Sequence, residues 1–183
     1  GPGYDYELGG EAENSEQGMG SVIENLPLAF FIITLLLIGQ FNSLKKPVIV
    51  LLTIPLGLIG VVFGLLVTKS YFGFFAFLGL ISLAGIIINN AIVLLDRIQI
   101  EQDEMNRSKQ DAILFATRER FRPIILTTAT TMCGLVPLWL GGGIMFEPLA
   151  VGILFGLLFA TVITLLFVPV MYGLLFRVSY KGI

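Results

Sequence analysis

Two stretches of the sequence carry side chains that could do chemistry. Residues 86–96 read IIINNAIVLLD and residues 125–134 read ILTTATTMCG. The first sets two amides, Asn89 and Asn90, in a run that is otherwise apolar from 71 to 95. Each amide has two donors and an acceptor that need partners. Left unpaired in an apolar medium, such groups cost several kcal/mol. Ser82, Gly85 and Asn89 recur at i, i+3 and i+7, which puts them on one helix face. Asn90 points about 100° away. In the second stretch Thr127, Thr130, Thr131 and Gly134 share a face and Thr128 flanks it. The plain account of the threonines is a bond to the carbonyl one turn back along their own helix. The plain account of the asparagines is a hydrogen bond that glues one helix to the next.

What is missing narrows the chemistry further. The chain has no histidine, the commonest metal ligand and general base. No Asp, Glu, Lys or Arg lies deep in an apolar run, so the chain by itself has no proton carrier of the kind that marks ion pathways. No phosphate loop, zinc pattern or nucleophile–base pair occurs, so neither an enzyme, a metal, a cofactor nor a nucleic-acid partner is suggested. The one cysteine, Cys133, cannot form an internal disulfide and does not report the redox compartment.

The elements that carry these residues are membrane spans. Of the 183 residues, 56% are hydrophobic and only 13% charged. A soluble domain carries about 25% charged residues. Five apolar runs occur, at 22–41, 47–68, 71–95, 123–140 and 149–176. Each is close to the roughly 20 residues a helix needs to cross hydrocarbon. They lack the alternation of a membrane strand, so the fold class is an all-α five-helix transmembrane bundle. Pro55, Pro137 and Pro169 fall inside spans and predict local kinks.

Charge sets the orientation. Lys45, Lys46, Arg97, Arg107, Lys109, Arg118, Arg120, Arg122, Arg177 and Lys181 all fall on one side of a five-span bundle, and Lys69 alone on the other. Ten against one predicts a cytoplasmic face for the first set. Residues 1–21, acidic and without Lys or Arg, then form an external segment, and 177–183 a cytoplasmic tail. Between the third and fourth spans, Ser108 reads as an N-cap, Asp111 as a first-turn acid, and Arg118 and Arg120 as last-turn bases. With Ala112, Ile113, Phe115 and Ala116 on one side, 108–120 predicts a short amphipathic helix on the cytoplasmic surface. Pro123 then opens the fourth span at the favoured first-turn position. Two GxxxG seams, Gly60–Gly64 and Gly152–Gly156, allow close helix approach, as plain bundle packing or as a face that slides in a transport cycle.

Five segments in order, GYDYELGGEAENSEQ, QFNSLKKPVIVLLTIPLGLIG, LAGIIINNAIVLLDRI, RERFRPIILTTATTMCGLVPL and FVPVMYGLLF, resemble the C-terminal membrane half of resistance–nodulation–division (RND) efflux permeases, in the hydrophobe/amphiphile exporter branch of Gram-negative bacteria. The resemblance covers nearly the whole chain and implies spans eight to twelve of a twelve-span domain, preceded by the end of a periplasmic domain. It implies a multi-pass inner-membrane protein with its C-terminus cytoplasmic, surrounded by lipid. In the family a pair of aspartates in the N-terminal half carries protons, and a lysine and a threonine complete the relay. By motif position the lysine corresponds to Asn89, the asparagine after it to Asn90 and the threonine to Thr127. Arg120 matches a basic residue at the cytoplasmic mouth. The implied partners are the N-terminal half with its Asp pair, two further copies in a homotrimer, a periplasmic adaptor and an outer-membrane channel.

One departure matters for mechanism. An ammonium holds an ionised carboxylate by charge, whereas the Asn89 amide offers only a hydrogen bond. The facing Asp then keeps a higher pKa. The main expectation is a proton-driven exporter of drugs and amphiphiles. The alternatives are a stand-alone or regulatory membrane protein derived from such a pump, and a lipid or protein exporter of the same superfamily.

Overall fold

A computed structural model describes residues 10–178, except for the side chains of residues 11 and 12; residues 1–9 of the predicted external segment and 179–183 of the predicted tail lie outside this range. Five helices follow in order: α1 Glu11–Phe41, α2 Lys45–Thr68, α3 Phe74–Asp103, α4 Lys109–Gly141 and α5 Gly143–Leu175. Each is long and apolar enough to cross a membrane.

Sharp connections explain the up-and-down order. Asn42 and Lys69 take left-handed conformations (φ 43° and 57°) at the ends of α1 and α2. Gly143, at φ 66°, turns the chain between α4 and α5. Left-handed residues end helices by pairing their last carbonyls, and Lys69 N–H does so with Leu65 and Leu66.

Helix α5 is the centre: it packs on α2, α3 and α4, while α1 touches only α2 and α3. The α2/α5 contact is made by glycine. A Cβ on Gly60 would stand 2.7 Å from the Phe155 carbonyl oxygen and 2.9 Å from Gly156 Cα. One on Gly64 would stand 2.5 Å from Phe155 Cβ. Gly156 faces Leu83 and Val61, whereas Gly152 has looser surroundings, with Val61 3.6 Å away. Two apolar clusters result, one around Val61, Leu83, Ile87 and Leu157, the other around Ile49, Leu94, Ile98, Ile113 and Val168.

Several element boundaries differ from the sequence expectation; α5, for one, starts at Gly143 rather than at 149. Helix α1 starts at Glu11 rather than at 22, continuing the span outward through a polar stretch that includes Gly18 and Gly20. Helix α3 runs on to Asp103, about two turns past the apolar run. The predicted surface helix 108–120 is no separate element. It is the first part of α4, which passes unbroken through Pro123 to Gly141. The Ser108 cap is present, its Oγ accepting from Asp111 N–H at 3.2 Å. The amphipathic stripe is covered by protein, not lipid: Ala112, Ile113 and Ala116 are buried with Ile98 of α3 and Val168 of α5. Phe115 instead faces outward under the Arg107 guanidinium, 3.6 Å from its ring centre. Pro123, about four turns into α4 rather than in its first turn, leaves only the Glu119 carbonyl without its usual partner, a defect the neighbouring packing outweighs.

The extension of α3 and the start of α4 are tied by charge. Glu101, 2% exposed, meets Arg97 at 2.7 Å and Arg107 at 2.7 Å, and Arg97 also meets Glu119 at 2.5 Å. The Arg107 approach to Glu101 Oε2 is a charge contact without hydrogen-bond alignment, since that oxygen and Arg97 Nε are both buried and lack a hydrogen-bond partner.

A polar cleft between α3 and α4

Asn89 and Asn90 lie midway along α3. Across from them, α4 presents its threonines. The two helices and α5 enclose a cleft of about 230 Å³ lined by Ile86, Asn89, Asn90, Thr127, Thr128, Thr131 and Leu157. Three of the four residues proposed for a relay therefore meet: Asn89, Asn90 and Thr127. Although about 100° separates the two amides around the helix axis, the cleft is wide enough to receive both. Asn89 is exposed at its open side and Asn90 is half-buried.

Arg120 is not in the cleft. It stands half-buried seven residues before Thr127, on the same face of α4 and about 10 Å along the axis. No carboxylate pairs with it among the described residues. Gly60, Gly64 and Gly156 belong to the α2/α5 and α3/α5 packing, on a different side of the bundle.

The threonines are not equivalent. Thr127 Oγ1 donates to the Ile124 carbonyl at 3.0 Å. Thr130 and Thr131 both donate to the Thr127 carbonyl, at 2.9 and 2.8 Å. Such back-bonding spends each hydroxyl proton and leaves the oxygen lone pairs as acceptors. Thr128 differs: its Oγ1 lies 2.8 Å from Thr161 Oγ1 of α5, both side chains buried. This bond fixes the rotation of α4 against the bundle core, and Thr161 carried no signal in the sequence beyond being a hydroxyl in an apolar run. The amides of Asn89 and Asn90 take part in none of these bonds.

The open side of the cleft continues along both helices. Ser82, Gly85 and Asn89 of α3 are exposed, as are Thr127, Thr130 and Gly134 of α4. A Cβ added to Gly85 or Gly134 would meet nothing within 4 Å. At Gly57, Gly60, Gly64, Gly79 and Gly156 neighbours from other helices are pressed against the glycine; on this face of α3 and α4 the seam is bare. Chemically the cleft is neutral. It offers amide donors and hydroxyl acceptors to a group that enters from this side.

The chain is similar to known proteins. A family model described as "AcrB/AcrD/AcrF family" matches residues 1–176. The swarming motility protein SwrC of Bacillus subtilis (strain 168) is 36% identical over 157 residues, covering 84% of this chain and 15% of the relative. Two crystal forms of a heavy metal efflux pump superpose with TM-scores of 0.79 and 0.77, at 27% and 26% identity, over 96% and 94% of this chain and 18% of the pump. The chain thus spans less than a fifth of the length of these relatives. With its five membrane helices in family order and its sequence matched almost end to end, the chain belongs to the AcrB/AcrD/AcrF family of RND permeases.

Proposed function

We propose that this chain is the transmembrane portion of a proton-driven RND efflux permease, and that Asn89, Asn90 and Thr127 line its proton path. The observation that carries this reading is the bare polar seam of α3 and α4. Amides with unspent hydrogen bonds and glycines with empty space above them sit on one continuous face. Small-residue faces of this kind receive another helix in membranes. The partner we assign to the face is the N-terminal half of the same transporter, with carboxylates aimed at the cleft. An amide N–H there donates strongly to an ionised carboxylate and more weakly once the carboxyl takes up a proton. The proton load of the partner is thereby coupled to contact between the two halves. Arg120, a turn and more toward the charged end, favours an anionic partner at the cytoplasmic mouth. The charge asymmetry of the sequence supports a cytoplasmic location for that end. The resemblance supports hydrophobic and amphiphilic compounds as cargo, and a homotrimer working with an adaptor and an outer-membrane channel.

The test uses the full-length transporter. Asn89→Ala and Thr127→Ala should each reduce proton-coupled efflux from everted vesicles at least tenfold, with the protein still present in the membrane at the normal level. Unchanged efflux in both variants rejects the relay role.

A further inference from the structure

A second groove lies on the other side of α4. Arg118 is nine residues from Thr127, which places it half a turn around the helix from the polar face. Between the first turns of α4 and the last turns of α5 is a groove of about 580 Å³, with Arg118 on its wall. Its other prominent walls are Leu114 and Phe121 of α4 and Leu166, Pro169 and Val170 of α5. The large apolar ones are strongly exposed: Leu114 58%, Phe121 53%, Leu166 67% and Val170 57%. The α4 wall from Ile113 to Phe121 is about 12 Å long, a length suited to a stretch of acyl chain.

The polar chemistry of the groove is cationic. Thr117 is the other polar residue on it, and its hydroxyl is taken by the Ile113 carbonyl at 2.7 Å. Acids nearby on α4 are engaged elsewhere: Glu119 pairs with Arg97, and Asp111 with Ser108 at 2.7 Å. Among the described residues no carboxylate lies within 4 Å of the guanidinium of Arg118 or of Arg122, one turn further along the same stripe. Both arginines are exposed. A guanidinium fork matches phosphate oxygens in pairs. Its long stem lies along apolar surface while the head reaches the interface. An apolar slot with two free guanidinium groups at the end of a span therefore has the chemistry of an anionic-lipid site.

We propose that the α4/α5 groove binds one anionic phospholipid, with an acyl chain against Phe121, Leu166 and Val170 and its headgroup phosphate on Arg118 and Arg122. Zwitterionic lipids bring an ammonium group that these arginines repel. The site is independent of the proton path, since it uses the opposite face of α4.

The experiment places a photoreactive benzoylphenylalanine at Leu166 in the full-length transporter, in a membrane of phosphatidylglycerol and phosphatidylethanolamine. A second variant carries it at Val62, an exposed α2 position outside the groove (55% exposed). Lipid adducts are identified by mass spectrometry after irradiation. Phosphatidylglycerol should be enriched at least threefold at position 166 over position 62, and Arg118→Gln with Arg122→Gln should abolish the enrichment. Equal lipid composition at the two positions overturns the proposal, as does enrichment that survives both substitutions. Crosslinking of position 166 to a protein segment also overturns it, because a helix then covers the groove.

Discussion

Thr128 and Thr161 carry the one side-chain hydrogen bond that crosses between helices inside the cleft region. Interhelical bonds of this kind in membranes are worth about 0.6 kcal/mol on average. Thr128→Val and Thr161→Val should therefore each destabilise the transporter modestly, and a double-mutant cycle read by thermal unfolding should return a coupling of about 0.6 kcal/mol. Asn89 supports a different expectation. Asn89→Lys introduces a positive charge where the wild type has a neutral amide. A cation beside a carboxylate favours its ionised form, so the partner acid holds its proton only at lower pH. The pH midpoint of efflux should shift to the acid side in Asn89→Lys; no shift, or an alkaline one, denies a carboxylate contact with Asn89. The asparagines stood out in the sequence because amides are rare in apolar runs. The Thr128–Thr161 pair did not. Periodicity gives the face of a residue on its own helix, but not the rotation of that helix against another 33 positions away in the chain.

At the scale of elements, glycine separates two kinds of seam. Gly60 is pressed against backbone atoms of α5, which cannot give way as a side-chain tip can. Gly60→Ala should cost about 1–3 kcal/mol through overpacking, read as a lowered unfolding temperature of the purified transporter. Gly85 has open space in this chain. Gly85→Leu should leave insertion of the five helices intact and yet impair efflux in the full-length protein, since the bulk then blocks the approach of the other half. Full efflux in Gly85→Leu would mean that no helix closes on this face. The spans themselves were legible because length and hydropathy suffice to predict a membrane helix. The union of 108–120 with the fourth span was not. Ala112, Ile113 and Ala116 form an apolar stripe whichever surface covers it, and Pro123 is as much at home in a first turn as it is tolerated further in. Only the extended α3, bringing Ile98 and Glu101 alongside, decides the matter.

At the scale of the whole molecule, the polar ties between helices gather at the charged end of the bundle. Lys46 Nζ donates to Gln99 at 2.6 Å, Gln102 donates to the Tyr172 hydroxyl at 3.0 Å, and Tyr172 stacks on Phe176 at 4.3 Å. The Arg97–Glu101–Arg107 contacts close the α3/α4 connection beside them. Removing a buried acid strands its cations, while removing an exposed one costs little. Glu101→Ala should therefore lower the unfolding temperature clearly more than Glu119→Ala, Glu119 being half exposed (51%). At this scale neither the centrality of α5 nor the looseness of α1 was legible in the sequence, because burial is decided by which neighbours a span meets, not by its hydropathy: α1 and α3 have similar mean hydropathy but differ widely in burial.

Helix α4 has prolines at 123 and 137, one on each side of the threonine segment. Each removes a rung of the backbone ladder, so the Glu119 and Cys133 carbonyls lack their usual N–H. The polar stretch is thus slung between two pivots. Its lower neighbour is clamped through Glu119 to Arg97 and its middle is pinned to α5 by Thr128. A push on the Thr127 face from a partner helix would be met first by bending at those pivots, leaving the charged end at rest. The helix behaves there as a sprung bar more than as a rod.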